Sequence, residues 1–377
     1  MAEYLTNTAD LTAVADAIRA KGGTAAQLVY PSGFVSAIQA IQTGITPKLV
    51  VTTSAGAAVT AVKGTKTITG TSDSTGVCTL IVPEAGTWSV SATLDGKTSD
   101  TKAVTITDSY AVSLNFVYPT LNKNTWETIK DISDAGQCAN YWSVGDRKAV
   151  TLNGTVGHLT LSNYTTYAFI IGFNHNASLE GENCIHFQLA KTALSGGTDV
   201  CFCDSYYTSP VSTTGYFSMN SSATNSGGWA SSQMRTNICG TSLSSYSGTI
   251  IAVIPAALRA VLKSVTKYTD NTGNNSTSAS AVTATKDYFF LLSEFEVFGS
   301  ISRANSNEAS KQAQYAYYSA GNSKVKYKHN GTSTAARWWL RSPLASSSDG
   351  FENVNTNGTV EDRTARASFG FPPGFCV

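Results

Sequence analysis

The hydrophobic positions of the chain follow a helical pattern first, in residues 1 to about 45. Leu11, Val14 and Ile18 recur at helical spacing and predict a helix that ends at Lys21-Gly22-Gly23, with Thr8 or Asp10 as its N-cap. A second amphipathic helix is predicted after Pro31, with these apolar positions on one side: Phe34, Ala37, Ile38 and Ile41. Two short helices bury too little surface to be stable alone, so we expect this segment to dock on another copy or another protein.

From about residue 46 to 118 the pattern changes to short alternating strands. The segments LVVTTSAGAAVTAV, KTITGTSDSTGVCTLIVP, GTWSVSATLDGKTS and KAVTITDSYAVSLNFV are separated by turn signals such as Asp95-Gly96. This spacing predicts a small β-sandwich with Trp88 in its core. The stretch resembles the carboxypeptidase-regulatory and immunoglobulin-like modules that serve as spacers.

Residues 119–377 mix both patterns and predict a larger α+β domain. Ile129, Ile132 and Ala135 form the apolar stripe of a helix that Gly136 ends, and YAFIIGFNHN predicts a buried strand. TIIAVIPAALRAVLKSVTKYT predicts a second long helix, and DYFFLLSEFEVFG predicts another apolar strand. The chain is therefore expected to be multidomain: a helical segment, a β-sandwich and an α+β domain.

The last forty or so residues, 336–377, have apolar ends and an aperiodic middle. ARWWLRSP and FGFPPGFCV carry bulky side chains that can anchor the stretch in a core, whereas the residues between them show no hydrophobic period. Within that middle, Asn357-Gly358 predicts a tight hairpin turn. An aperiodic stretch held at both ends is typical of a displayed binding surface.

Composition narrows the classes of function. Charged residues make up 14% of the chain and the net charge is +1, which argues against a nucleic-acid partner. The short basic run Lys324, Lys326 and Lys328 is interpreted as a solvated strand face. Neither a signal peptide nor an apolar run long enough to span a membrane is expected. The seven cysteines are irregularly spaced, so most are interpreted as small buried hydrophobes.

Candidate catalytic and metal-binding residues are few. His186 has Cys184 two positions before it, but no second pair completes a metal site, and His175 is interpreted as a structural histidine. Glu294 and Glu296 could form a glycosidase pair, although we prefer the interpretation that one fixes a loop and the other is solvated. No catalytic residue, metal or cofactor is predicted.

Five strings of the large domain carry a family resemblance: WSVGDRKAVTLNG (142–154), FIIGFNHN (169–176), FFLLSEFEVFG (289–299), ARWWLRSP (336–343) and GFPPGF (370–375). Together they resemble the C-type-lectin-fold domains in variable proteins of diversity-generating retroelements, which are common in bacteriophages. In such proteins a mutagenic reverse transcriptase randomises adenines in the DNA that encodes a short C-terminal stretch. The N-terminal string LTAVADAIRAKGGTAAQLVYPSGFVSAIQAI similarly resembles a segment of phage tail proteins.

The resemblance implies that the variable region spans about 344–369. Randomised AAC or AAT codons never encode Lys, Gln, Glu, Met or Trp, and apart from Glu352 and Glu361 none of these occurs between Leu344 and Gly370. The framework positions would be Ala345, Phe351, Val354, Gly358, Ala365 and Gly370. The candidate ligand-binding positions are Leu344, Ser346, Ser347, Asp349, Gly350, Asn355, Thr356, Thr359, Asp362, Arg363, Thr364, Arg366, Ala367 and Phe369. Phe369, Arg363 and Arg366 are expected to contribute most, since aromatic and arginine side chains dominate interfaces.

The function that the resemblance implies is a hypervariable receptor-binding or adhesion protein of a phage or prophage. Its expected partners are a bacterial surface protein or glycan, a tail or baseplate protein at the N-terminal segment, and further copies of itself. The expected location is the virion. Formylglycine-generating enzymes share the fold, but their pair of cysteines is reduced here to Cys376. The alternatives are an enzyme of that kind or of the glycosidase kind, and a static virion decoration protein.

Overall fold

The computed structural model describes residues 8–22, 27–40, 47–207 and 213–377. Strands hold 37% of the residues and helices 22%, so the protein is mostly β with several sheets. The chain divides into two compact units, residues 1–115 and 116–377. Within the described ranges, none of the helices combines the length and the hydropathy that crossing a bilayer requires.

The first unit begins with two helices, α1 (Thr8–Gly22) and α2 (Ser32–Ala40). Ala15 and Ile18 of α1 and Phe34 of α2 are buried together in a small apolar cluster. Both predicted helices are confirmed. The predicted apolar faces are partly wrong, because Val14 is 49% exposed and Ile38 is 54% exposed. Ile41 lies outside the described residues.

The rest of the first unit consists of short strands in two sheets, as the alternating pattern predicts. One sheet has the order β4-β1-β8, and the other has the order β3-β2-β5-β6, with β7 also paired to β5. Trp88 on β5 is fully buried, which confirms it as a core residue. The strands are β1 (Lys48–Thr52), β2 (Ala58–Lys63), β3 (Lys66–Thr71), β4 (Val77–Ile81), β5 (Gly86–Leu94), β6 (Lys97–Thr98), β7 (Lys102–Ile106) and β8 (Ser109–Ser113).

The second unit contains four sheets around one large apolar core. Their orders are β15-β21-β11-β10-β9, β12-β16-β17, β13-β14 and β18-β19-β20. The strands are β9 (Arg147–Val156), β10 (Leu159–Phe173), β11 (Ile185–Lys191), β12 (Val200–Cys201), β13 (Val265–Asp270), β14 (Val282–Asp287), β15 (Phe289–Phe290), β16 (Lys326–Lys328), β17 (Gly331–Ala336), β18 (Trp338–Pro343), β19 (Gly350–Val354), β20 (Val360–Thr364) and β21 (Gly374–Cys376).

The five-stranded sheet contains the predicted buried strand, β10, and also β21, the last strand along the sequence. Phe375 of β21 stacks on Phe187 of β11 with 5.2 Å between ring centroids, and both rings contact Trp126. Trp126 opens α3 (Trp126–Asp134), whose N-cap Thr125 accepts a hydrogen bond from the Thr128 N–H. This helix and its apolar stripe confirm the prediction for that segment.

The predicted second long helix is wrong. Its sequence forms two four-residue helices, α6 (Ile250–Val253) and α7 (Ala256–Arg259), and then the strand β13. Pro255 separates the two helices because proline lacks an N–H donor and restricts the residue before it. The remaining short helices are α4 (Ala177–Glu180), α5 (Gly228–Ser231), α8 (Glu294–Phe298) and α9 (Ala316–Ser319).

The string DYFFLLSEFEVFG is also predicted to be a strand, but its second half forms the helix α8. The Ser293 side chain accepts from the Glu296 N–H, and the Glu296 side chain accepts from the Ser293 N–H. This reciprocal capping box starts a helix even in an apolar context. Gly299 ends α8 at a φ of 70°, a left-handed conformation that glycine adopts easily.

Candidate ligand-binding surface

The candidate variable region folds as two strands and their connections. β19 is the centre of a three-stranded sheet and pairs antiparallel with both β18 and β20. The predicted Asn-Gly turn joins β19 to β20, where Gly358 has a φ of 84° and its N–H donates to the Asn355 carbonyl. β18 and β19 are buried along their length, whereas every residue of β20 is partly exposed. The accessible side of this sheet is therefore its edge strand β20 and the adjoining loops.

Most of the candidate positions have side chains that reach solvent. They lie in the loop after β18, in the turn between β19 and β20, on β20 itself, and just after it. The exposed or partly exposed positions are Ser346, Ser347, Asp349, Asn355, Thr356, Thr359, Asp362, Arg363, Thr364 and Arg366.

Four candidate positions are buried, and the structure corrects the prediction for them. Phe369 and Ala367 have no exposed surface, and the Phe369 ring lies 4.7 Å from the Trp339 ring between centroids. Leu344 is 6% exposed. Gly350 lies against β20, where a Cβ atom would come within 2.8 Å of the Arg363 carbonyl oxygen. These residues belong to the core and cannot contact a ligand at the surface.

The framework assigned from the sequence is largely internal. Phe351, Val354 and Ala365 have no exposed surface, and Gly370 is buried, whereas Ala345 and Gly358 are partly exposed. Glu352 is also fully buried on β19.

The loop 344–350 is held by Asn225, a residue that the sequence analysis did not identify. The fully buried Asn225 side chain donates to the carbonyl oxygens of Leu344 at 3.2 Å, Ser347 at 2.8 Å and Gly350 at 2.9 Å. Its own N–H donates to the Ser348 carbonyl at 2.8 Å. One side chain from outside the region therefore satisfies most of the inward-facing carbonyl groups of the loop.

A second loop, 302–304, is held by Glu294 of α8. Its carboxylate accepts from the N–H groups of Ser302 at 2.8 Å, Arg303 at 3.2 Å and Ala304 at 3.0 Å, and from the Ser302 hydroxyl. The prediction that one carboxylate of the Glu294/Glu296 pair fixes a loop is thus confirmed. The prediction that the other is solvated is wrong, because Glu296 is fully buried.

The two loops meet and enclose a shallow depression of about 590 Å³. The Ala345 N–H donates to the Arg303 carbonyl at 3.0 Å, and Ala304 forms a β-bridge with Leu344. Thr277 and Val360 complete the lining. The depression is the main concave feature beside the candidate positions.

Ion pairs cross the exposed edge of β20. Asp362 pairs with Arg303, and Glu361 pairs with Arg337 and, at 3.1 Å, with Arg363. Such partly exposed pairs contribute roughly 0–1 kcal/mol each. The Arg366 side chain is exposed and has no hydrogen-bonding partner for its guanidinium among residues 213–377. Arg366 is therefore better placed than Arg363 to bind an external partner.

Below the surface, a buried charge network joins β18 to α8. The Arg341 guanidinium donates to both carboxylate oxygens of Glu296 and to the Leu291 carbonyl. Lys267 on β13 lies 3.0 Å from Glu296 and 2.5 Å from Glu180. Burial opposes ionisation of Glu296, but the charges of Arg341 and Lys267 outweigh it and lower the pKa of that carboxyl.

Three groups in this network bring possible metal ligands together: His175, Glu180 and Glu296 have ligand atoms within 4.8 Å of one another. Lys267 already places an ammonium between the two carboxylates, so their charge is balanced by the protein itself. Burial lowers the pKa of His175 to about 3 and raises that of Glu180 to about 7. The cluster has the contacts of a structural network, with the His175 ring stacked on Tyr315 at 3.7 Å.

Two further sequence interpretations concern lysine and cysteine. Lys326 was expected on a solvated face, but it is fully buried and its Nζ lies 5.1 Å from the centre of the Trp338 ring. That expectation is wrong. The cysteines are all buried and free, as predicted. Cys376 in particular is fully buried on β21, and burial raises the pKa of its thiol.

Comparison with known proteins adds one match. Residues 211–377 match the family described as "Domain of unknown function (DUF6273)". No curated protein matches the chain significantly. The matched region contains β13 to β21, Asn225, Glu294 and both loops of the depression, so the elements that build the candidate surface all lie within the DUF6273 match.

Proposed function

We propose that this protein is a receptor-binding or adhesion protein of a bacteriophage or prophage, with a C-terminal domain of the C-type-lectin fold. Its C-terminal surface, diversified by a retroelement, binds a protein or glycan of a bacterial surface. The helical N-terminal segment attaches it to a tail or baseplate, and the β-sandwich is a spacer. The proposal rests on the sequence resemblance and on the exposure of ten of the candidate positions.

The observation that carries the proposal is the arrangement of the loops 302–304 and 344–350. Their main chains are held by the buried side chains of Glu294 and Asn225, while Ser346 and Asp349 are exposed and Ser347 is partly exposed. A rigid main chain with exposed variable side chains lowers the entropic cost of binding. The shallow depression of about 590 Å³ between the loops offers a concave contact area.

Catalysis is the weaker candidate for this chain. The enzyme alternatives depend on Cys376 or on Glu294 with Glu296, and all three side chains are buried and engaged or enclosed by the core. A nucleophile or acid–base pair must contact its substrate. Binding needs only the exposed residues, which is why we favour it.

The proposal is tested by binding to whole bacteria. Biotinylated protein, made tetravalent on fluorescent streptavidin to gain avidity, is incubated with a panel of gut bacterial strains. We expect at least one strain to bind the wild type, and the triple variant Ser346→Ala, Asp349→Ala, Arg366→Ala to lose that binding. The matched control, Ser244→Ala with Lys311→Ala, changes exposed residues elsewhere in the same unit and is expected to bind normally.

A genomic observation separates the diversified surface from a static one. A near-copy of the 3′ end of the gene beside a reverse transcriptase gene, with adenine-specific differences confined to codons 344–369, is expected. An invariant 344–369 region among close relatives would favour a decoration protein instead. Absence of binding to all strains, together with absence of the repeat, would contradict the proposal.

A further inference from the structure

A second concave site lies away from the depression, on the side of the second unit where the turn between β9 and β10 meets the segment around residue 216. We call it the aromatic cleft. It has a volume of about 410 Å³. Its lining includes His158, Tyr206, Tyr216, Ser221, Gln233 and Asn237. This volume is in the range of small-molecule sites, roughly 300–1,000 Å³.

Three aromatic rings form one wall of the aromatic cleft and remain in contact with solvent. Tyr216 is 49% exposed, Tyr206 is 38% exposed, and the His158 ring lies between them. The His158 ring is 3.6 Å from Tyr216 at an interplanar angle of 73°, and 5.1 Å from Tyr206 at 42°. The rings therefore form an angled corner, which does not offer the two parallel faces that would sandwich a planar base.

The backbone is shaped to bring these rings together. Gly157 has a φ of 55°, and a Cβ atom there would come within 2.7 Å of the Tyr216 Cβ. A Cβ atom on Gly215 would come equally close, 2.7 Å, to the Tyr206 Cβ. Glycine at both positions permits a close approach that any other residue would obstruct.

The rest of the lining carries neutral hydrogen-bonding groups. Gln233 and Asn237 are exposed, and Asn237 lies on a six-residue π-helix, Met234–Cys239. π-Helices are rare and occur frequently at functional sites. Among residues 213–377 the Asn237 amide accepts only from the neighbouring Thr236 hydroxyl, so its NH₂ group remains free to donate. An amide offers both a donor and an acceptor to an adjacent pair of hydroxyl groups.

Among the residues that the structure describes, those that line the aromatic cleft include no aspartate, glutamate, lysine or arginine. A phosphorylated or carboxylated ligand would enter a site without a compensating charge. A neutral ligand with an apolar C–H face and a rim of hydroxyl groups matches this lining. The electron-rich ring faces attract C–H groups, and the side-chain amides pair with hydroxyl groups. A pyranose ring has this combination.

We propose that the aromatic cleft binds a neutral carbohydrate of one or two pyranose rings, stacked on Tyr216 and hydrogen-bonded to Asn237 and Gln233. This site is separate from the surface 344–369, and the inference does not rest on the proposed function. The two regions are adjacent in the chain fold but share no lining residue among those that the structure describes: the Ser218 hydroxyl in the cleft donates to the Arg366 carbonyl at 2.9 Å, and Thr214 forms a β-bridge with Ala367.

The test is calorimetric titration of the full chain with lactose, maltose, cellobiose and N,N′-diacetylchitobiose. We expect saturable binding of at least one sugar, weakened about tenfold or more in Tyr216→Ala and in Asn237→Ala, as is typical of central contact residues. Tyr216→Phe, which keeps the ring, should keep most of the affinity, and a Tm of Tyr216→Ala equal to that of the wild type would show that its loss of binding is not a folding defect. Tyr141→Ala, an equally exposed tyrosine outside the cleft, is the matched control and should bind normally.

Two further arms separate this inference from its alternatives. Arg366→Ala should retain sugar binding, so that a failure of the proposed receptor surface leaves this result intact. Adenosine tests the competing planar ligand. Absence of binding by every sugar at 10 mM (about ten thousand times the Kd of a micromolar site), whether or not adenosine binds, would overturn the proposal. Sugar binding by Tyr216→Ala and Asn237→Ala equal to that of the wild type would overturn it as well.

Discussion

Arg341 and Glu296 form an ion pair through two hydrogen bonds at a position where neither side chain has any exposed surface. The pair links β18, which begins the candidate surface, to α8, whose Glu294 holds the loop 302–304. Removing Arg341 breaks a two-fold hydrogen-bonded pair in the core and leaves Glu296 with Lys267 alone, and breaking a buried pair costs about 3–5 kcal/mol. The candidate surface is therefore supported from below by electrostatics as well as by apolar packing.

The first prediction concerns that ion pair. Arg341→Met should lower the free energy of unfolding of the second unit by about 3–5 kcal/mol, measured by urea titration with tryptophan fluorescence. The partly exposed pair of Arg303 and Asp362 gives the control, since Arg303→Met should cost no more than about 1 kcal/mol. An equal decrease in the free energy of unfolding in both variants would show that the buried pair stabilises the protein no more than the partly exposed one.

The second prediction concerns pH and Glu352. Burial and, after it, the nearby Glu294 carboxylate raise the pKa of Glu352 well above its ordinary 4.5. The folded carboxyl stays protonated where the unfolded one ionises, so its stabilising contribution is complete below pH 4.5 and is lost as the pH rises. Glu352→Gln, which keeps the neutral form, should raise the Tm at pH 8 and leave it nearly unchanged at pH 4.

Calorimetric melting of both proteins at the two pH values checks this prediction. Glu361→Gln on the partly exposed strand β20 is the control and should show no gain at pH 8, because Glu361 is partly exposed and pairs with Arg337. A Tm that falls equally at both pH values in Glu352→Gln would mean that the carboxylate is charged and satisfied in the folded protein.

The third prediction concerns Asn225. Asn225→Ala removes three hydrogen bonds to the loop 344–350 and leaves the Leu344 and Ser347 carbonyls without this donor, whereas the Gly350 carbonyl still accepts from the Leu344 N–H at 3.1 Å. Each such group costs about 1–3 kcal/mol, so we expect lower stability and faster amide exchange confined to residues 344–350. Hydrogen–deuterium exchange measures the second effect. Asn237→Ala changes an exposed amide and should leave exchange in the loop unaltered.

The fourth prediction concerns Lys326. Burial lowers the pKa of its ammonium from 10.5 to about 8, so the charged form destabilises the folded protein below pH 8 and the penalty is relieved as the pH rises toward 10.5. Lys326→Met should stabilise the protein at pH 7 by about 1–4 kcal/mol. The gain should shrink at pH 9.5. Lys328→Met, its partly exposed neighbour, should give no comparable gain, and a loss in Lys326→Met would contradict the prediction.

The fifth prediction separates stability from recognition within the candidate positions. Phe369→Ala should cost about 3–5 kcal/mol of stability because it empties a fully buried site beside Trp339. Arg366→Ala should leave the Tm unchanged and reduce binding to bacterial cells. Thermal melts and the cell-binding assay together check both halves. Reduced binding in Phe369→Ala without a change in Tm would show that the ring reaches the ligand.

The sequence predicted local structure well where the signal was local. The alternating strands of the first unit, the helix α3 and the Asn-Gly turn each depend on residues within a few positions. The helix α8 could also have been predicted, because Ser293 and Glu296 have the spacing of a capping box. The apolar run before them favours a strand, but the capping box determines the structure that follows it.

The remaining errors come from contacts between distant residues. Lys326 alternates with two other lysines, which is typical of an exposed face, and only its packing near Phe169 and Trp338 shows that it is buried. Asn225 lies 119 residues before Leu344, and no local pattern marks it as the residue that holds the loop. Aromatic side chains are common in interfaces, and this predicts Phe369 as a contact residue. The next residue, Gly370, begins the apolar string GFPPGF, which lies in the core together with Phe369.

The hydrogen bonds that Asn225 donates to the loop 344–350 all end on carbonyl oxygens, which every amino acid carries. The conformation of that loop consequently depends on a residue 119 positions before it. The side chains that a partner would contact are encoded within the loop itself. Natural selection can replace those side chains without rewriting the information that specifies the loop's shape. The same separation makes the loop a suitable place to introduce new binding specificities in the laboratory.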